Sequence, residues 1–244
     1  MNGNIRSGNK AALLDEVAAE VDIPDEIEMA RSSSQIIIDG QAMVVSMGRP
    51  AKAETFGDLG EVFAKNVMRF SATYERIDVV FDRYKEDSVK HSTRMRRAKT
   101  FHPIRRAIEN KDLPLPKNWL NFPALGENKA DFAKFLSSEM IQHAPPNTEV
   151  VLGGGFDDGM EVWSTNQKDD LRLLKSSHEE ADTRMVLHAI HSTCDKIVVY
   201  ARDTDVFLLL LHHFTKINYK ELWLMAGTAK KRKFFPVHKV FQLL

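Results

Sequence analysis

Six carboxylates in this chain stand where an apolar run ends or an apolar helix begins. Asp39 closes Gln35-Ile-Ile-Ile-Asp39, and Asp82 closes Ile77-Asp-Val-Val-Phe-Asp82. Asp203 and Asp205 follow Val198-Val-Tyr-Ala-Arg202, while Glu180 and Asp182 lie at the head of the segment Glu179–His191. Acids brought to the ends of buried strands repel one another unless cations neutralise them. Their hard oxygen donors suit Mg²⁺ or Mn²⁺, and magnesium keeps several of its waters. Two such ions about 3.5–4 Å apart can polarise a phosphate and deliver hydroxide to it. The chemistry implied is phosphoryl chemistry at a divalent-ion centre, with two ions expected.

Each acid also has a plainer role open to it. Asp39 before Gly40 could cap a turn. Asp82 could be an exposed strand end, Glu180 and Asp182 could favour a helix dipole, and Asp203 could be an N-cap. Taken together they favour a shared site, because three strands would deliver their acids along one sheet edge.

A second set of residues carries positive charge. Lys90, Arg94 and Arg97 are spaced i, i+4, i+7 and would share one helix face, with Arg96 and Lys99 beside it. Arginine forks suit phosphate oxygens and give affinity without sequence readout. A solvated helix face is the alternative. Lys230-Lys-Arg-Lys233 reads as a charged hairpin tip, with nucleic-acid contact or a nuclear import signal as alternatives. Gly153-Gly-Gly155 reads as a turn, since no helix with Lys-Ser/Thr follows it. His188, His191, His212 and His213 have spacings that a metal site can use, but no suitable frame surrounds them, so structural roles are expected.

The elements that must position these residues are legible in the hydrophobic pattern. Gln35–Asp39, Ile77–Phe81 and Ile197–Ala201 read as buried strands, and Thr55–Tyr74, Lys129–His143, Glu179–His191 and Thr204–Phe214 as helices. Ser88–Phe101 is basic and reads as helical. Asp112–Pro123, with three prolines and two bulky aromatics, reads as a loop that packs. Val150–Leu152 with Met160–Trp163, and Leu222–Met225 with Phe234–Val237, read as hairpins. Residues Ala11–Ala30 carry spaced apolar positions among acids and predict a helix before the main fold. Alternating strands and helices give an α/β domain with a mainly parallel, twisted sheet flanked by helices, plus hairpin insertions.

Composition bounds the rest. Lys and Arg together number 34, as do Asp and Glu, so net charge argues neither for nor against a polyanionic partner. Cys194 is the only cysteine, which excludes an internal disulfide and a thiolate metal cluster. It leads into an apolar strand and reads as a small buried hydrophobe. No apolar run reaches membrane-spanning length and the polar start is no signal peptide, so an intracellular, non-membrane protein is expected.

In order and in context, Ile38-Asp39, Val80-Phe-Asp82, Glu180-Ala-Asp182 and Asp203-Thr-Asp205 resemble the motifs of the flap endonuclease (xeroderma-G-type) branch of PIN-like nucleases. The resemblance covers roughly Gln35 to Phe214, with Phe101–Gln167 matching only in position. Glu179-Glu-Ala-Asp-Thr-Arg184 and Ala201-Arg-Asp-Thr-Asp-Val206 are also similar to uncharacterised animal proteins associated with mobile elements.

The resemblance implies a PIN-like domain over 35–244 behind an acidic appendage at 1–34. It implies metal-dependent phosphodiester hydrolysis, with Asp39, Asp82, Glu180, Asp182, Asp203 and Asp205 as catalytic metal ligands. It further implies that Lys90, Arg94, Arg96 and Arg97 contact nucleic acid, DNA before RNA, with a nuclear location before a cytoplasmic one. Three departures stand out: Arg83 replaces a usual Gly, Asp182 shortens a usual Glu, and the family's later metal-binding Asp and duplex-gripping element are not found before Leu244. The expectation is therefore a domain truncated before the family's C-terminal region, and a poor nuclease in isolation. A non-catalytic nucleic-acid-binding or scaffold protein with the same fold is the alternative. A phosphotransferase with Asp39 as covalent nucleophile is a weaker one, since that chemistry normally wants a second acid at position 41, which is Gln.

Overall fold

A computed structural model of the protein describes residues 16, 19–84, 104–166, 171–228 and 231–243. In chain order its elements begin with β1 (Ser34–Asp39), α1 (Gly40–Met47), α2 (Phe56–Met68), β2 (Arg76–Val80), α3 (Gly126–His143) and β3 (Glu149–Gly153). They continue with β4 (Val162–Ser164), α4 (Ala181–Ile190), β5 (Lys196–Tyr200), α5 (Thr204–His212), β6 (Glu221–Thr228), β7 (Lys231–Pro236) and α6 (Val237–Leu243).

The β-branched runs form the centre of a seven-stranded sheet in the order β4-β3-β2-β1-β5-β6-β7. The five inner strands are parallel, and β4 and β7 close the two edges as antiparallel partners. This is an α/β fold with helices on both faces, as the alternation of elements predicts. Strand side chains alternate between two cores. Ile36, Ile38, Ile77, Val79, Val150 and Leu152 pack with Phe56, Phe63 and Leu136 from α2 and α3. Ile37, Val80, Ile197, Val199, Leu222 and Leu224 face Met185, Phe207 and Val240 from α4, α5 and α6. Helix α2 starts in a capping box, where Thr55 accepts from the Asp58 N–H and the Asp58 carboxylate accepts from the Thr55 N–H. The proline-rich stretch does pack: Trp119 stacks on Phe122 at 5.5 Å, and Phe122 tilts against Phe56.

Three features differ from the sequence expectation. Of the helix expected over Ala11–Ala30, residues 11–15 and 17–18 lie outside the described residues, Glu16 is helical, and 19–30 form turns and irregular chain rather than helix. Pro24 accounts for it, since it disfavours helical geometry at Ile23, and its carbonyl instead accepts from the Phe234 N–H at 2.9 Å. Val21 and Ile23 pack against one core, and Ile27 and Met29 against the other. Helix α1 was not anticipated; it starts directly at β1's end because Asp39 caps it. Helix α6 was not anticipated either, because Phe234–Val237 reads as continuous strand. The basic segment with Lys90, Arg94, Arg96, Arg97 and Lys99 lies outside the described residues.

A candidate acidic site at the carboxyl edge of the sheet

Strands β1, β2 and β5 are adjacent and parallel, so Asp39, Asp82 and Asp203 all emerge at the same edge. Successive strands are laid down from β1 to β2 and β3 on one side, and from β5 to β6 on the other. The crevice between two such directions is where open α/β sheets bind ligands.

Local chemistry fixes each acid. Asp39 caps α1, with Oδ1 accepting the Ala42 N–H at 2.9 Å. Gly40 follows because the Phe81 ring fills the space beside it; a Cβ there would lie 2.4 Å from the ring. Asp203 caps α5 by accepting the Asp205 N–H at 3.0 Å. Helix α4 is capped from a distance. Its own N-cap residue Glu180 makes no side-chain cap, and Asp82 Oδ1 accepts the Ala181 N–H at 2.8 Å. That bond, with the Arg83 N–H donating to the Glu179 carbonyl at 2.7 Å, clasps the end of β2 to the start of α4. Tyr84 completes the clasp by donating its hydroxyl to Asp82 Oδ2 at 3.2 Å. The plainer capping roles are therefore real for Asp39 and Asp203, and Asp82 caps as well.

Capping does not exhaust their charge. Burial pushes the Asp182 carboxyl up to about 7, and the charges of Asp39, Asp203, Asp82 and Glu180 add to the rise. Burial likewise pushes Asp39 up to about 6, aided by Asp82 and Asp203 and opposed by the Ala42 hydrogen bond. Five of the six predicted acids thus act on one another across the edge. Asp205 lies in the same first turn of α5 and connects to the group through Asp203.

The donor set fits a hard divalent cation in kind, being carboxylate oxygen throughout and charged against itself. Among the described residues, no three His, Cys, Asp or Glu side chains are gathered tightly enough to hold one ion directly. A spread-out set of carboxylates matches an ion that keeps part of its water shell and is held largely through it.

In the body of the sheet, on β2 and α4, lies a buried polar trio that the sequence reading did not single out. Arg76 donates to both oxygens of Asp78, at 2.8 and 3.0 Å, and His188 Nδ1 approaches Asp78 Oδ2 at 2.7 Å. Burial alone would raise the Asp78 pKa, but Arg76 and His188 outweigh it and hold the carboxyl at about 2. The visible signal was an acid at the centre of an apolar strand. His188 has the structural role expected of it. Cys194 is buried and burial pushes its thiol up to about 11, so it is no ready nucleophile. Lys231, Arg232 and Lys233 belong to β7 rather than to a hairpin tip, and Arg232 stands over the Phe70 ring.

A hollow of about 670 Å³ is lined by Asp25, Glu26, Tyr74, Arg232 and Phe234 and contains none of the six acids. A smaller cleft of about 340 Å³ borders Asp82. No helix among the described residues is long and apolar enough to cross a membrane. Comparison with known protein families, with curated proteins and with solved structures found no match to this chain.

Proposed function

We propose that this chain is a PIN-like domain that hydrolyses phosphodiester bonds in nucleic acid with the help of divalent cations. The observation that carries the reading is the convergence of Asp39, Asp82, Asp182, Asp203 and Glu180 at the carboxyl edge, where burial first and their mutual repulsion second push Asp182 up to about 7. Such an edge is short of positive charge, and a cation restores the balance. Asp39, Asp82, Glu180, Asp182, Asp203 and Asp205 would hold it, directly or through water. When bound, such a cation supplies Lewis acidity and a more acidic water at neutral pH. The chain's own residues do the positioning. The bond from Ala181 N–H to Asp82 fixes α4 against β2, and with it the place of Glu180 and Asp182. The caps at Asp39 and Asp203 orient one oxygen of each toward a helix and so limit where the second can point.

A second reading has its own observation. The absence of a tight three-carboxylate group among the described residues, with three acids already capping helices, favours a nucleic-acid-binding or scaffold protein that keeps the fold without turnover. Incubating the chain with single-stranded, nicked and flapped DNA and with RNA in Mn²⁺ separates the two. Cleavage that vanishes in Asp203→Asn supports hydrolysis; binding without any cleavage supports the second reading.

A further inference from the structure

The cleft beside Asp82 is walled by the end of β2, by α3 and by the turn between β3 and β4. Gly154 and Gly155 in that turn adopt positive φ values of 76° and 72°, backbone that side chains rarely tolerate. There is also no room for one. A Cβ on Gly154 would lie 2.7 Å from Arg184 Nη1 and 2.8 Å from the Phe81 carbonyl, and one on Gly155 would lie 2.4 Å from Ser137 Oγ. The turn is therefore pressed onto polar groups.

Those groups are short of partners. Arg184 is fully buried and donates Nη1 to the Phe81 carbonyl at 3.2 Å, but its Nε and Nη2 meet no acceptor. Arg83 lines the cleft with Nη1 buried and likewise unpaired, and Ser137 Oγ under Gly155 has no partner. Leaving a buried donor unpaired is destabilising, and more so when it is charged. Unpaired donors gathered around one turn point to a missing acceptor. The two guanidinium charges also repel each other.

The acids of the cleft do not fill that gap. Asp131 is paired with Arg105 at 2.7 Å, and Asp157 with Lys134 at 2.6 Å. Asp82 already accepts from the Ala181 N–H and the Tyr84 hydroxyl. Arginine donors are thus left without acceptors on one side of Asp82, whose own charge offsets only part of theirs, while carboxylates crowd the other side.

We propose that this cleft is an anion-binding pocket for a phosphoryl group, with Arg83 as the contacting donor and Arg184 as a buried cation beneath the Gly154–Gly155 turn. Arginine's planar fork suits phosphate oxygens, and a charge beneath a turn is little screened by water. Naming the anion as a backbone phosphate of a nucleic-acid strand rests on the proposed function; the pocket itself does not. Held there, a strand would have the neighbouring bond close to the acidic edge, since Asp82 borders both.

The test is a melting and binding titration of the full chain with inorganic phosphate in EDTA, against chloride at matched ionic strength. Phosphate is expected to raise the melting temperature by a few degrees, saturating in the millimolar range. Arg83→Gln should weaken that response about tenfold, the loss expected of one charged hydrogen bond. Lys65→Gln, at an exposed pair on α2, should leave it unchanged. Arg184→Lys keeps the buried charge and should retain most of the response; if it does not fold, Arg83→Gln decides. A response no larger than that of chloride, or one untouched by Arg83→Gln, overturns the pocket. A short oligonucleotide without terminal phosphates should compete with phosphate; if it does not, assignment to a strand phosphate fails. Phosphate binding without any divalent-ion response would leave the pocket standing and sink the acidic-site reading, and the converse result would do the reverse.

Discussion

Asp82 accepts two hydrogen bonds and shares an edge with four other interacting acids, so its replacement separates capping from charge. Asp82→Asn keeps an oxygen for the Ala181 N–H and removes a negative charge. In metal-free buffer it is expected to be at least as stable as the parent. Asp82→Ala loses the cap as well and should fall below the Asn variant by about 1 kcal/mol in urea denaturation. Equal stability of the two variants would show that the cap contributes nothing. Titration gives a second expectation at this scale. Asp39 and Asp182 have folded values of about 6 and about 7 against an ordinary 3.8, so the folded chain holds their protons more tightly than the unfolded one. The stability they contribute is full below 3.8 and is lost as pH rises through these two values. Asp78 has the opposite sign: held at about 2, it contributes above 3.8 and fails as pH falls through 2. Metal-free stability should therefore peak on the acid side of neutrality. Asp182→Asn should flatten the alkaline fall and leave the acid fall intact; an unchanged alkaline slope would contradict the site's electrostatics.

At the scale of elements, β2 carries more than its apolar pattern implies. Arg76 and Asp78 point to the α4 side of the sheet, where His188 completes a fully buried trio. Asp78→Ala leaves the Arg76 guanidinium buried without its carboxylate and is expected to cost about 3–5 kcal/mol. Replacing both, as Arg76→Met with Asp78→Leu, should cost much less because no unpaired charge remains. Chemical denaturation of the single and double variants checks this, and a single-variant loss below that of the double would contradict it. The central strands and α2 to α5 were legible because their apolar periods are long and undisturbed. Helix α1 was not, since its start was hidden in a residue read for chemistry. The chain at 19–30 misled because the helical apolar spacing ahead of it was carried on past Pro24, which disfavours helix at Ile23.

Across the whole molecule, the acidic edge was readable from sequence for a simple reason: Asp39, Asp82 and Asp203 follow runs of buried residues, and parallel strands end on one side. The cleft beside it was not. Arg83 and Arg184 look in sequence like ordinary charges next to motifs, and their lack of partners exists only once α3, α4 and the glycine turn meet. The placing of unpaired arginine donors next to a crowded acidic edge is likewise a property of the fold alone. The edge carboxylates are proposed to form one cation site. A Mn²⁺ titration of the metal-free chain, followed by melting temperature at neutral pH, tests that directly. A saturable rise is predicted for the parent, with the response largely lost in the Asp39→Asn/Asp203→Asn double variant. An equal Mn²⁺ response in parent and double variant would contradict the account.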